Sequence, residues 1–176
     1  MRTSGAAASG VRGLPGFGKG RGWGTSPPSR TRTQSPPAEA ESHQTWKALD
    51  PQLKALAVMA SAASIGCSWC MDFGYWENHR HGMAPEKLRD VPRWRESEVY
   101  TPLERDVMEY AEAMSATPPT VTDELVERLR EHLDDAALVE LTAMVAVDNL
   151  RSRTNAALGL TSQGFRDTCE IPSRER

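Results

Sequence analysis

The chain has 176 residues, 39% of them apolar and 26% charged, with a formal net charge of −3. That length suffices for one domain with a sizeable core. No run approaches the roughly 18 consecutive apolar residues of a membrane span, and Ala6-Ala7-Ala8 is too short for a secretory h-region. A membrane-spanning protein is excluded, a general nucleic-acid binder is disfavoured by the negative charge, and the cytoplasm is the expected location.

The average hides a split. Residues 1–45 carry 6 Lys/Arg against 2 Asp/Glu, with 8 of the 13 glycines and 5 of the 12 prolines, whereas the remainder carries 15 basic and 22 acidic residues. The first segment has too few apolar side chains to offset the entropy of ordering it and is expected to be disordered. Its glycines and prolines would spoil an amphipathic targeting helix, so a plain unstructured extension, or a start codon placed too early or in the wrong frame, is preferred over a transit peptide.

From Asp50 onward the pattern is helical. Asp50-Pro51 predicts a helix start, followed by Leu53, Leu56, Ala57 and Ala60 on one face, with Gly66 ending it. A second helix is predicted from Cys67 to His81, closed by Gly82, and a short one from Ala84 to Leu88. Val91–Tyr100 reads as loop. Thr101-Pro102-Leu103-Glu104 is a capping-box start, with Leu103, Val107, Tyr110 and Met114 at helical spacing until Thr117-Pro118-Pro119. Thr122 caps the next helix, whose buried stripe is Leu125, Leu129 and Leu133. Asp134 and Asp135 open the last long one, which runs toward Leu158. Its first-turn neighbours Asp123, Glu124 and Glu127 on the preceding helix fit a dipole arrangement. No segment alternates with period two, so the fold class is all-α, a compact helical bundle over residues 46–165, with a polar tail beyond that frays from Thr161.

Cys67-Ser68-Trp69-Cys70 is the motif with chemical content. Two cysteines three apart at a helix start face the same way, and the helix N-terminus favours thiolate over thiol. One sulfur can attack a substrate while the other resolves the adduct as a disulfide. The first cysteine of such a pair is usually the more exposed. Zinc binding competes, but it needs four ligands, and His79 and His81 have only one residue between them. Two small buried hydrophobes are the bland alternative. No cofactor and no metal is expected. Cys169, in the polar tail, is assigned no role.

Leu53-Lys54-Ala55-Leu56-Ala57 followed by Gly66-Cys67-Ser68-Trp69-Cys70, together with Thr101–Ser115 and Asp148–Gly159, resemble the carboxymuconolactone decarboxylase superfamily, in its alkyl hydroperoxidase D-like branch. The resemblance implies a helical subunit assembled as a homo-oligomer, a trimer or hexamer. It implies a peroxidase in which Cys70 attacks a small hydroperoxide, Cys67 condenses with the sulfenate, and an external dithiol reduces the disulfide. Neither nucleic acid nor membrane is implied. The departures matter. The branch has a glutamate twelve residues before the first cysteine, a histidine just before the second and another four after it. Here those positions hold Ala55, Trp69 and Gly74. A peroxidatic thiol needs a base and its leaving alkoxide an acid, so either the relay is rebuilt or the activity is weak or absent.

At about 100° per residue Glu77 and then His81 fall on the Cys70 face of the helix, with Gly74 leaving a gap between. Glu77 is the best substitute base and His81 the second, although two turns is about 10 Å and calls for a bridging water. A solvated helix end explains the same residues. Trp69, Phe73, Tyr75 and Trp76 fit a core, or else a substrate pocket or subunit interface. Asp148, Arg151 and Asn155 fit an ion pair and a cap-type hydrogen bond, or else a site for a small acid. A lyase on a small carboxylic acid, the reaction that names the superfamily, and a non-catalytic redox-sensing oligomer are the alternative functions.

Overall fold

The computed structural model describes residues 46–170; the expected disorder of residues 1–45 and the end of the polar tail, 171–176, lie outside the described residues. Within them the chain forms α1 (Pro51–Ile65), α2 (Ser68–Arg80), α3 (Pro85–Asp90), a 3-10 turn over Val91–Arg93, α4 (Pro102–Ser115), α5 (Asp123–Arg130), α6 (Asp135–Ala157) and the short α7 (Asp167–Glu170), with no strand among the described residues. The fold class is all-α.

The helix starts follow from local chemistry. The Asp50 carboxylate accepts from the backbone N–H of Gln52 at 2.8 Å and of Leu53 at 3.3 Å, and Pro51 opens α1 where a missing N–H costs nothing. Thr101 and Glu104 close a reciprocal capping box on α4, Thr122 caps α5, and Asp134 accepts from Ala137 N–H at 2.8 Å to start α6. At the other end of α1, Gly66 takes a left-handed φ of 86°, where a side chain would be strained, and turns the chain directly into Cys67.

Helix α1 packs against α2, α4 and α6, and is thereby the centre of the bundle. Its Leu56, Ala57 and Ala60 are fully buried with Val107, Met108 and Ala111 of α4 and Leu141 and Val145 of α6. The alanines let three helices approach one axis, while each buried aliphatic contributes about 1.5–3 kcal/mol of transfer free energy. On the α2 side, Gly74 sits close against α1: a Cβ there would meet Met59 Cγ at 3.3 Å, and that side chain would have to give slightly. The gap expected over Gly74 is therefore filled by Met59.

Two side chains tie the ends of the described chain to the bundle. Glu140 on α6 accepts from the N–H groups of Ala48 at 2.7 Å and Leu49 at 3.1 Å and pairs with Lys54. Asp72 on α2 accepts from Gln163, Phe165 and Arg166 N–H at 2.7, 3.1 and 2.8 Å. The stretch from Thr161 was expected to fray because it is polar. Among the described residues it is held instead by the buried Asp72 carboxylate, with Ser162 N–H donating to Ser68 and Phe165 packed on the α2 aromatics, and it runs into α7.

Candidate active site

Cys67 and Cys70 stand at the start of α2 and are joined as a disulfide, with Cα atoms 5.3 Å apart. Cys67 is the N-cap: its sulfur accepts from Cys70 N–H at 3.2 Å, doing the work that a serine or aspartate does elsewhere. Only 2% of Cys67 is exposed, whereas Cys70 is half-buried. The expectation that the first cysteine is the more exposed is reversed here, because the turn at Gly66 tucks Cys67 beneath the end of α1.

The two sulfurs have different neighbours. Cys67 lines a cavity of about 440 Å³ together with Met71, Tyr75, Leu88, Arg89 and Arg166; Cys70 does not line it. One wall of this cavity comes from the segment that Asp72 holds, through Ser162 and Arg166. Burial pushes the Asp72 carboxyl up, but the Arg166 N–H, the Ser162 hydroxyl and the Gln163 and Phe165 N–H groups outweigh it and hold the acid below its ordinary range.

Cys70 faces α6. Ser152 Oγ stands 3.3 Å from its sulfur, and Asn155 Nδ2 stands 3.4 Å from it and 3.9 Å from that of Cys67. Ser152 Oγ is also 3.2 Å from Asp148 Oδ2. Asp148 is 3% exposed and Ser152 has no exposed surface. Burial pushes the Asp148 carboxyl above its usual range, and the hydroxyls of Ser61 and Ser152 and the charge of Arg151 offset this only in part. Behind it lies a buried polar seam: Ser115 Oγ meets Ser61 Oγ at 3.0 Å, and Asn149 Nδ2 donates to Ser115 at 2.9 Å and to Ser61 at 3.2 Å. Buried hydroxyls and amides satisfy one another here, which fixes the rotamers around Asp148.

The residues singled out from the sequence divide accordingly. Glu77 and His81 are solvent-exposed, and neither hydrogen-bonds a sulfur. His79 stacks on Tyr75, with ring centroids 6.1 Å apart. No group of three or more His, Cys, Asp or Glu among the described residues stands ready to hold a metal. Tyr75 is core, while Trp69, Phe73 and Trp76 form a half-buried cluster on α2 capped edge-on by Phe165, which lies 6.2 Å from Trp69 and 5.7 Å from Phe73. Asp148 meets Ser152 and feels the charge of Arg151, whereas Asn155 reaches the two sulfurs. Ser152 was not singled out, yet Asp148, Ser152 and Asn155 follow one another at i, i+4 and i+7, the spacing of one helix face.

This arrangement can stabilise charge on one sulfur. A thiolate at Cys70 would receive two side-chain donors, and a buried carboxyl lies one hydroxyl beyond.

Comparison with known proteins places this geometry. Residues 37–113 match the model of the carboxymuconolactone decarboxylase family. The chain is 39% identical over 126 residues to the uncharacterized protein YnjA of Escherichia coli, covering 72% of this chain and 68% of YnjA. It is 30% identical over 95 residues to the uncharacterized protein YdfG of Bacillus subtilis, covering 53% of this chain and 65% of that one. Among solved structures it is similar to a protein of unknown function from Agrobacterium tumefaciens, for which an antioxidant defence role as AhpD has been suggested: TM-score 0.63, 25% identity, 68% of this chain and 81% of the other. With its helical fold, its cysteine pair and its alkyl hydroperoxidase D-like neighbours, the chain belongs to the carboxymuconolactone decarboxylase family.

Proposed function

We propose that this protein is a thiol–disulfide oxidoreductase that reduces small hydroperoxides through Cys70 and Cys67. The observation that carries the reading is the asymmetry of the pair: Cys70 receives Ser152 and Asn155, whereas Cys67 lines the cavity. Charge develops most readily on the sulfur with the nearer side-chain donors, so Cys70 attacks the peroxide. Its thiolate takes the terminal oxygen, the O–O bond breaks, and the sulfur becomes a sulfenic acid while the alkoxide gains a proton. The Cys67 thiol then condenses with it, forming the disulfide and releasing water. An external dithiol entering by the cavity attacks Cys67, and Cys70 leaves as thiolate. The antioxidant role suggested for the Agrobacterium protein agrees with this chemistry. Val139, Leu150 and Leu158, exposed along or just after α6, suit burial against further copies in a trimer or hexamer.

The test is peroxide-dependent turnover with a dithiol reductant. Wild type should turn over, and Cys70→Ser should fall to background; equal rates in the two would remove the assignment.

Arg89 and Arg166 at the cavity favour a second reading, a lyase acting on a small carboxylic acid. A carboxylate-induced rise in Tm that survives replacement of both cysteines would support it over the first.

A further inference from the structure

The chain keeps the cysteine pair of its family but holds Ala55, Trp69 and Gly74 where the peroxidase branch keeps its glutamate and histidines. We propose that Asp148 and Ser152 of α6 are the proton relay of Cys70, with Ser152 as the group that touches the reacting sulfur and Asp148 as the residue that acts through it. The inference rests on the peroxidase reading for its reaction, but not for its geometry.

The geometry is a line of three atoms. Cys70 Sγ lies 3.3 Å from Ser152 Oγ, which lies 3.2 Å from Asp148 Oδ2. A serine hydroxyl has one proton and two lone pairs, so it can accept from one neighbour while donating to the other. In the reduced protein the Cys70 thiol passes its proton to Ser152 Oγ as the Ser152 proton passes to Asp148. The products are a Cys70 thiolate and a neutral Asp148 carboxylic acid. After the thiolate takes the terminal oxygen of the hydroperoxide, the same line runs backward. Ser152 protonates the departing alkoxide, and Asp148 restores the serine proton. The sulfur is oxidised to sulfenic acid, the peroxide is reduced to alcohol, and the relay returns to its starting state.

Two further observations fit this task and not a structural one alone. An ordinary exposed carboxylate is far too weak a base to share a proton with a thiol. Asp148 is 3% exposed, and its burial raises its affinity for a proton toward that of its partner. Ser61 of α1, with Ser115 of α4 and Asn149 behind it, also hydrogen-bonds the carboxyl and helps to fix its position. The titratable and charged groups facing this line are Cys70 and Cys67 from α2 and Arg151 from α6, while α1 and α4 contribute hydroxyls.

At Gly74 a Cβ would meet Met59 Cγ at 3.3 Å, so a side chain there would need Met59 to shift. The carboxyl that reaches Cys70 through Ser152 comes instead from α6.

The experiment compares wild type, Asp148→Asn, Ser152→Ala and Ser152→Thr, each checked for wild-type helicity by circular dichroism. Two readouts are taken across pH: alkylation of Cys70 by iodoacetamide in the Cys67→Ser background, and the second-order rate with tert-butyl hydroperoxide in the otherwise wild-type protein. Coupled groups titrate as a pair, so wild type should show two ionisations in the alkylation profile. Asp148→Asn should collapse them to one and slow peroxide reduction about hundredfold, the usual scale of a lost general acid–base. Ser152→Ala severs the same line and should slow peroxide reduction about as much as Asp148→Asn, and Ser152→Thr should recover most of the loss. Wild-type profiles and rates in Asp148→Asn and Ser152→Ala would overturn the relay while leaving the peroxidase intact. If peroxide turnover is absent from wild type, the functional reading fails, and the alkylation profiles alone decide the relay.

Discussion

Cys67 and Cys70 lie one helical turn apart and are joined through their sulfurs, yet their surroundings belong to different parts of the molecule. Cys67 is a helix cap, 2% exposed, at the edge of a cavity whose wall is the clamped C-terminal segment. Cys70 faces a polar row on α6 in which a hydroxyl, an amide and a buried carboxyl succeed one another. A Cys-x-x-Cys motif fixes only that two sulfurs can meet. In the proposed reaction the helix that packs across them decides which carries charge, and the division separates the step that meets peroxide from the step that meets the reductant.

That division can be broken from either side. The larger effect is expected on the Cys70 side. Asn155→Ala removes the amide that reaches Cys70 at 3.4 Å, and the thiolate loses one donor. Alkylation of Cys70 near neutral pH should slow roughly tenfold, equivalent to about one pKa unit. Because Asn155 also reaches Cys67 at 3.9 Å, the comparison sharpens if Cys67 alkylation in Cys70→Ser changes less than that of Cys70. Equal slowing at both cysteines would mean that the amide serves the pair as a whole.

On the Cys67 side the effect on Cys70 itself is the smaller one, and the change falls on stability and on the reductive step. Asp72→Ala removes an acceptor shared by three backbone N–H groups, at a cost of about 1–3 kcal/mol in urea unfolding. The reductive step should slow, because the cavity wall loosens, while Cys70 alkylation stays at the wild-type rate. The same carboxylate gives a pH dependence. Asp72 is held below its ordinary value in the folded protein, so its contribution is present above the unfolded value near 4 and is lost as the pH falls through the lower folded value. A stability profile of Asp72→Ala should therefore converge on that of wild type in acid. Profiles that stay parallel through the acid range would remove Asp72 as the clamp.

The helices were legible because their signals are local. Asp50-Pro51, Thr101 with Glu104, Thr122 and Asp134 act on N–H groups two or three residues away, and each caps the helix it was expected to cap. The cysteine pair was legible for the same reason. The residues that give the pair its asymmetry were not, because they act across the bundle. Glu77 and His81 share the Cys70 face of their own helix, but two turns along that face lead into solvent, whereas Ser152 arrives from 82 residues away in sequence. Its signal was present as the i, i+4, i+7 row of Asp148, Ser152 and Asn155, a polar stripe that a surface helix would carry equally well. The clamp by Asp72 had little side-chain signature, since three of its partners are backbone N–H groups and only the Ser162 hydroxyl is a side chain.

The most direct measurement traps the sulfenic acid. After one equivalent of hydroperoxide, each single-cysteine variant is treated with a cyclic 1,3-diketone and mapped by peptide mass spectrometry. The account predicts an adduct on Cys70 in Cys67→Ser and little or none on Cys67 in Cys70→Ser. An adduct that forms on Cys67 as fast as on Cys70 would contradict it.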